Sequence, residues 1–274
     1  MPESHRQIMT LRVALGIEYD GTAYHGWQRQ KNATGIQSIV EGAISAVANE
    51  AIETICAGRT DAGVHATAQV VHFDCHAVRP TRNWLLGVNA NLPEDINVTW
   101  AAAVDENFHA RYSATVRTYR YRILNRCVRS ALTRQRAWWV NEALDESAMQ
   151  QAAEHLLGEH DFSAFRAAAC RASTPFRELF SLQVKRSGDC VTITVAGNAF
   201  LQHMVRNITG VLVTVGKGDT MPCWARFVLE SRDRTKAGIA APSHGLTLIG
   251  VKYPGCFNIP QGTEPQSQAT DEEA

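Results

Sequence analysis

Alternating apolar and polar side chains mark strands, and apolar recurrence every three or four residues marks helices. Residues 11–19, Leu-Arg-Val-Ala-Leu-Gly-Ile-Glu-Tyr, alternate and predict a strand. Ile36, Ile39, Val40, Ala43, Ile44 and Val47 have helical spacing, so a helix is expected over 36–49. Residues 69–73 are apolar and β-branched, as in a buried strand. A short helix over 84–88 and a strand over 96–103 follow. The pattern changes near 108–112. Residues 115–124 then alternate strictly, with Val116, Thr118, Arg120, Arg122 and Leu124 on one face. The other face carries Arg117, Tyr119, Tyr121 and Ile123. Two faces with arginine cannot both be ordinary core, so at least one is expected to line a groove.

Further along, a helix is expected over 146–157 and a compact loop over 161–166. Strands over 177–184 and 190–195 form a hairpin through Ser187-Gly188-Asp189. A long apolar helix is expected from Phe200 to about Val215, ended by Gly216, then a short helix over 224–230 and a last strand over 246–251. Both parts mix strands and helices in similar order, which predicts an α+β protein of two related halves. The expected divisions are 9–108, 109–260 and a polar tail, 261–274, that lacks the apolar content to order itself.

Composition narrows the class. The chain has 274 residues, of which 45% are hydrophobic, enough for a substantial core. No stretch approaches the length of a membrane span, and the first residues lack the apolar run of a signal peptide. Seven cysteines without a Cys-x-x-Cys pair argue against a disulfide framework or structural zinc, and for a reducing cytosol. His72, Cys75 and His76 lack a second pair of ligands and are read as the end of a strand. Net charge is zero, but 22 of the 27 basic residues are arginine. Eight arginines and no acid lie between Arg111 and Arg136. Such a stripe suits phosphate, although arginines also protect exposed strand edges.

The most chemically pointed stretch is 57–66, Ala-Gly-Arg-Thr-Asp-Ala-Gly-Val-His-Ala. Asp61 stands between two glycines without bulky neighbours, two residues after Arg59. Such a carboxylate serves as a nucleophile or a base, with Arg59 favouring its ionised form; the competing reading is an Asx turn or a helix cap. His65 has no adjacent triad partners and is read as structural. The loop at 24–30, Tyr-His-Gly-Trp-Gln-Arg-Gln, offers aromatic, amide and cationic groups, including Arg29, suited to bases and phosphates. Arg206 lies in an apolar helix with no acid of its own from 200 to 218, so its anion must come from another element.

The string at 57–66 resembles the signature of the tRNA pseudouridine synthase A family. The likeness extends to Tyr-Asp-Gly-Thr at 19–22, His-Gly-Trp-Gln-Arg-Gln at 25–30 and Asn-Leu-Pro-Glu-Asp-Ile at 91–96. It continues through Phe-His-Ala-Arg at 108–111, Arg-Thr-Tyr-Arg-Tyr at 117–121, Asp-Phe-Ser-Ala-Phe at 161–165 and residues 200–208, and ends near 257. Gly35 departs from it, standing where a hydroxyl residue would cap the helix.

The resemblance implies two related α/β-sandwich-like halves sharing a continuous mixed sheet, with helices on one side and a basic cleft on the other. It implies a homodimer that binds tRNA and isomerises uridines on the 3′ side of the anticodon stem-loop without metal or cofactor; the cysteine content and the lack of a span place it, as an expectation, in the cytoplasm and off the membrane. By resemblance, Asp61 is the catalytic aspartate and Tyr119 stacks on the target base. Arg59 lies beside the flipped nucleotide, Arg206 partners the aspartate, and Leu246 forms an apolar wall. Arg29, Arg111, Arg117 and Arg120 are expected to grip RNA. The rivals are a non-catalytic RNA-binding protein and a glycosidase. The latter normally needs two carboxylates, where this loop offers one.

Overall fold

A computed structural model of the chain describes residues 10–260. The tail at 261–274 lies outside the described residues, as do residues 1–9. The elements run β1 (Leu11–Tyr19), α1 (Ile36–Ala48), β2 (Ile55–Cys56), β3 (His65–Cys75), α2 (Thr81–Asn89), β4 (Ile96–Val104) and β5 (Val116–Asn125). They continue with β6 (Trp138–Val140), α3 (Glu146–Glu154), β7 (Gly158–Asp161), β8 (Phe176–Ser187), β9 (Cys190–Gly197), α4 (Met204–Gly216), α5 (Trp224–Ser231) and β10 (Leu246–Lys252). The protein is therefore mixed α+β, as the patterning predicts.

One sheet gathers the strands in the order β4-β1-β3-β10-β5-β9-β8-β7, with β2 beside β3 and β6 beside β5. Most neighbours are antiparallel. The two parallel pairings are β5 with β6, and β10 with β3. The last strand of the chain is thus inserted between an early strand and β5. Its link to β3 is short, Thr247 opposite His65 and Leu248 opposite Ala66. That register sets the start of β10 beside the end of the 57–64 loop.

Side-chain alternation decides what faces the core. On β1, Val13, Leu15, Ile17 and Tyr19 pack with Ile36, Val40 and Ile44 of α1. On β5, Tyr119, Tyr121 and Ile123 join the same core as Ile208, Val211 and Leu212 of α4. Burying each such aliphatic side chain contributes roughly 1.5–3 kcal/mol. A smaller cluster, including Ala14, Ala57, Val70, Phe108, Ala110 and Tyr253, holds the crossover after β4. Asp145 caps α3, accepting from the amides of Ser147 and Ala148, whereas Gly35 gives α1 no side-chain cap.

Two helix bounds need correction, and two short strands escaped the patterning. Helix α4 starts at Met204, not Phe200, because His203 enters it at φ +63° and interrupts the helical backbone. Helix α3 stops at Glu154, short of 157, ahead of Gly158 at φ +93°. Strands β6 and β7 have three and four residues, too short to leave a periodic signal. Gly210 shows why α4 sits where it does. A Cβ there would fall 2.0 Å from the Ile239 carbonyl, so only glycine lets the helix lie against the 239–241 segment.

His72 of β3 accepts from the Ala110 amide at Nδ1, 3.1 Å away, and is buried. Burial, then the charge of Arg12 and the neighbouring His109, push its pKa down to about 4. Between that value and the ordinary 6.5, the unfolded chain binds more protons than the folded one, so acid favours unfolding. The stability held by neutral His72 is complete above pH 6.5 and is lost as pH falls toward 4. The full effect is on the order of 3 kcal/mol. Urea midpoints between pH 7 and 4.5 are expected to fall in the wild type and to fall much less in His72→Gln. Equal slopes in both proteins would assign the acid sensitivity elsewhere.

Candidate functional site

The 57–64 loop leaves β2 and returns into β3, and nearly every backbone turn in it is held. The Gln69 amide donates to the Gly58 carbonyl at 2.7 Å. The hydroxyls of Thr60 and Tyr19 are 2.8 Å apart. The Trp27 amide donates to the Thr60 carbonyl at 3.0 Å, and the Val64 amide donates to the Asp61 carbonyl at 3.1 Å. Gly63, at φ +75°, makes a bend that other residues resist. Asp61 therefore sits in a braced turn between β2 and β3, not at a helix cap, and is about a quarter exposed.

A guanidinium and an imidazole from the second half of the chain approach it. Arg206 Nη1 lies 3.8 Å from Asp61 Oδ2, and His203 Nε2 lies 3.6 Å from the same oxygen. Arg206 is held in turn, its Nε donating to the Ala241 carbonyl at 2.7 Å, while the Ala241 amide donates to the Arg206 carbonyl at 3.0 Å. The anion that the acid-free helix required is thus Asp61. His203 was not singled out from the sequence. Its signal was available, since it lies one turn before Arg206, but its contact depends on the left-handed backbone that starts α4. Burial and the nearby Arg206 and Arg234 lower its pKa, while Asp61 opposes them. The imidazole therefore favours its neutral form.

Tyr119 is buried on β5, edge-on to Phe200 with ring centroids 5.1 Å apart. A Cβ on Gly58 would lie 3.6 Å from its hydroxyl, so the loop glycine leaves room above the ring's polar end. Burial pushes that hydroxyl's pKa upward, which keeps it protonated. Leu246 is buried at the start of β10, opposite Tyr121 on β5. The seam between β3 and β10 thus brings the loop, Tyr119 and Leu246 to one region. His65 is buried, its Nδ1 3.1 Å from the Gly21 amide and 3.0 Å from Asp20 Oδ1, and its Nε2 2.8 Å from the Gln135 carbonyl.

The arginines separate. Arg59 is exposed. Arg111 is exposed and lies over the Tyr112 ring, 5.4 Å from its centroid. Arg29 is half exposed and reaches Glu53 at 3.4 Å and Glu41 at 3.6 Å. Arg120 is half-buried on the face of β5 opposite Tyr119. Arg117 corrects the expectation of an RNA contact. Alternation places it on the Tyr119 face, and it is buried. Its Nε and Nη2 donate to the Ala57 carbonyl, and Nη1 donates to those of Asn198 and Ala114. These bonds leave it unavailable to phosphate. Among the described residues, no group of three His, Cys, Asp or Glu side chains is placed to hold a metal ion.

The loop thus sets a single carboxylate beside a guanidinium and an imidazole, with a buried tyrosine on β5 close to the loop and the exposed Arg59 two residues away. Residues 16–113 and 152–254 match the family model described as tRNA pseudouridine synthase. A tRNA pseudouridine synthase A of Coxiella burnetii is 51% identical over 250 residues, covering 91% of this chain and 96% of that protein. Those of Aliivibrio salmonicida and Nitrosococcus oceani are 51% and 50% identical, covering 92% and 93% of this chain and 96% and 98% of their own length. The chain belongs to the tRNA pseudouridine synthase family, an isomerase family.

The Asp61–Arg206 contact predicts a measurable coupling. It is longer and wetter than a buried ion pair, with Arg206 17% and Asp61 26% exposed. The coupling energy is therefore expected near 1 kcal/mol, below the 3–5 kcal/mol of breaking a fully buried pair. A double-mutant cycle on unfolding free energy, with Asp61→Asn and Arg206→Met, measures it. Strict additivity would show that Arg206 spends its charge elsewhere.

Proposed function

We propose that this chain converts uridine to pseudouridine on the 3′ side of the anticodon stem-loop of tRNA, with Asp61 as the reacting carboxylate. Family membership supports the reaction, and the resemblance of the motifs supports the position in tRNA. The observation that carries the role of Asp61 is its placement: one carboxylate on a braced turn, 3.8 Å from Arg206 and 3.6 Å from His203.

The chemistry suits such a site. Isomerisation breaks the N-glycosidic bond, turns the uracil, and joins its C5 to the same sugar carbon. The C5 proton leaves and N1 gains one, so the atoms balance without oxidant or water. One ionised carboxylate serves, as nucleophile or as proton acceptor. Arg206 favours its charged form and limits its movement. A base stacked in RNA must be extruded first, and the Tyr119 ring with the Leu246 side chain offers the receiving walls. Arg59, exposed on the same loop, is the candidate to lie beside the flipped nucleotide. Arg29, Arg111 and Arg120 are the remaining candidates for the grip on RNA.

The two-halves reading draws support from the family match, which falls in two blocks separated between 113 and 152. We place the division at 9–108 and 109–260, with a basic cleft where the halves meet. The cytoplasm, as the place where tRNA is modified, and a homodimer belong to the same proposal. Among the described residues, no helix is long and apolar enough to cross a membrane.

Incubation with an unmodified tRNA transcript, followed by mapping of pseudouridine, tests the reaction and its position together. Pseudouridine is expected on the 3′ side of the anticodon stem-loop, with no free uracil released. Asp61→Asn is expected to abolish it while tRNA affinity changes only a few-fold, because the side chain acts in chemistry and not in the grip. Free uracil in place of pseudouridine, or turnover by the variant, would refute this assignment.

A further inference from the structure

Among the described residues, Arg117 is the only buried arginine or lysine. A buried guanidinium usually meets a carboxylate. This one meets four carbonyl oxygens instead, at the positions that begin the segments on which the site is built. Its Nε and Nη2 fork onto Ala57, the residue that opens the Asp61 loop, at 3.2 and 3.0 Å. Its Nη1 donates to Asn198 at 2.7 Å, where the chain leaves β9 for the turn carrying Phe200 and His203. Nη1 also reaches Ala114 at 3.2 Å, and Nη2 reaches Arg111 at 2.5 Å, both in the crossover ahead of β5.

We propose that Arg117 is a positioning residue that sets the separation between the Asp61 loop and the turn that starts α4. The inference rests on the reading of Asp61 as the reacting carboxylate. A guanidinium is planar and rigid, so carbonyls bound along its edges are held in one plane at fixed spacing. Ala57 and Asn198 are bound by the two ends of that plane. Moving either shifts Asp61 relative to His203 and Arg206, which are attached to opposite sides of the clamp. Tyr119 stands two residues along the same face of β5, so the aromatic wall is registered by the same strand. Carbonyl oxygens also suit this task better than a carboxylate would. They hold the cation without neutralising it, and no second acid is brought near Asp61. Desolvation lowers the pKa of Arg117, but a guanidinium remains charged.

Arg117→Lys tests the clamp, because lysine keeps the charge as a single point and loses the fork. Single-turnover isomerisation at saturating tRNA is compared with tRNA binding over a range of salt, on protein shown to be folded by its melting transition. Misplacement of the loop by about 1 Å is expected to lower the rate about 10²-fold. Affinity is expected to stay within a few-fold, and the dependence of log Kd on log salt to stay unchanged, because no phosphate contact is lost. A salt slope reduced by about one unit would make Arg117 an RNA ligand and overturn the proposal. A rate equal to wild type would overturn it as well. Asp61→Asn, run alongside, separates the two levels: turnover by that variant refutes the role of Asp61 itself. If Arg117→Lys does not fold, wild-type protein labelled with ¹⁵N-arginine decides the matter. The Arg117 Nε–H signal is expected to exchange slowly and to keep its position when tRNA is added. Fast exchange, or a large shift with tRNA, would contradict the clamp.

Discussion

The Asp61 carboxylate and the Arg206 guanidinium come from different halves of the chain and meet at 3.8 Å. Much of the architecture serves that meeting. Strand β10 crosses back to lie against β3, which brings the late part of the chain beside the 57–64 loop. Gly210 lets α4 settle on the 239–241 segment, where Ala241 fixes Arg206 by two hydrogen bonds. His203 adopts a left-handed backbone conformation, uncommon for residues other than glycine although histidine is among those that tolerate it, and reaches the same carboxylate oxygen. Strain of this kind persists where surrounding structure overdetermines it, and it concentrates at functional sites.

The electrostatic design separates two uses of arginine. Inside the protein, Arg117 binds carbonyls and organises backbone, and Arg206 is shared between a carbonyl and Asp61. At the surface, Arg59 and Arg111 keep their charges exposed, where a polyanion can reach them. A chain of zero net charge can then bind RNA through local fields while keeping one carboxylate in the middle of them. The family sets the overall reaction. The division of labour among its cations is what the side-chain geometry adds.

Much of this was legible in the residues. The 3.6-residue and 2-residue periods gave α1, β1, β5 and the β8–β9 hairpin nearly in place, because each buries one clear face. The absence of acids from α4 required a distant partner for Arg206, and that partner is Asp61. The misses share a cause: they depend on tertiary geometry. Alternation placed Arg117 with Tyr119, but not which carbonyls would surround it, so it was expected on RNA. His203 sits inside a run that reads as continuous helix, and nothing local announces its positive φ. Strands β6 and β7 are defined by their neighbours and not by their own three or four residues. Gly210 reads as an ordinary interruption in a helix until the carbonyl beneath it is seen.

The convergence of Asp61, His203 and Arg206 is tested most directly by titrating the His203 ring. Burial and Arg206 hold its pKa below the ordinary histidine value, and Asp61 pulls it upward. NMR titration of the ring in the wild type, in Asp61→Asn and in Arg206→Met reads each contact separately. The midpoint is expected to fall further in Asp61→Asn, where the attracting carboxylate is gone. It is expected to rise in Arg206→Met, where the repelling cation is gone. A His203 midpoint unmoved by both substitutions would mean that the three groups do not meet, and the site would have to be rebuilt around Asp61 alone.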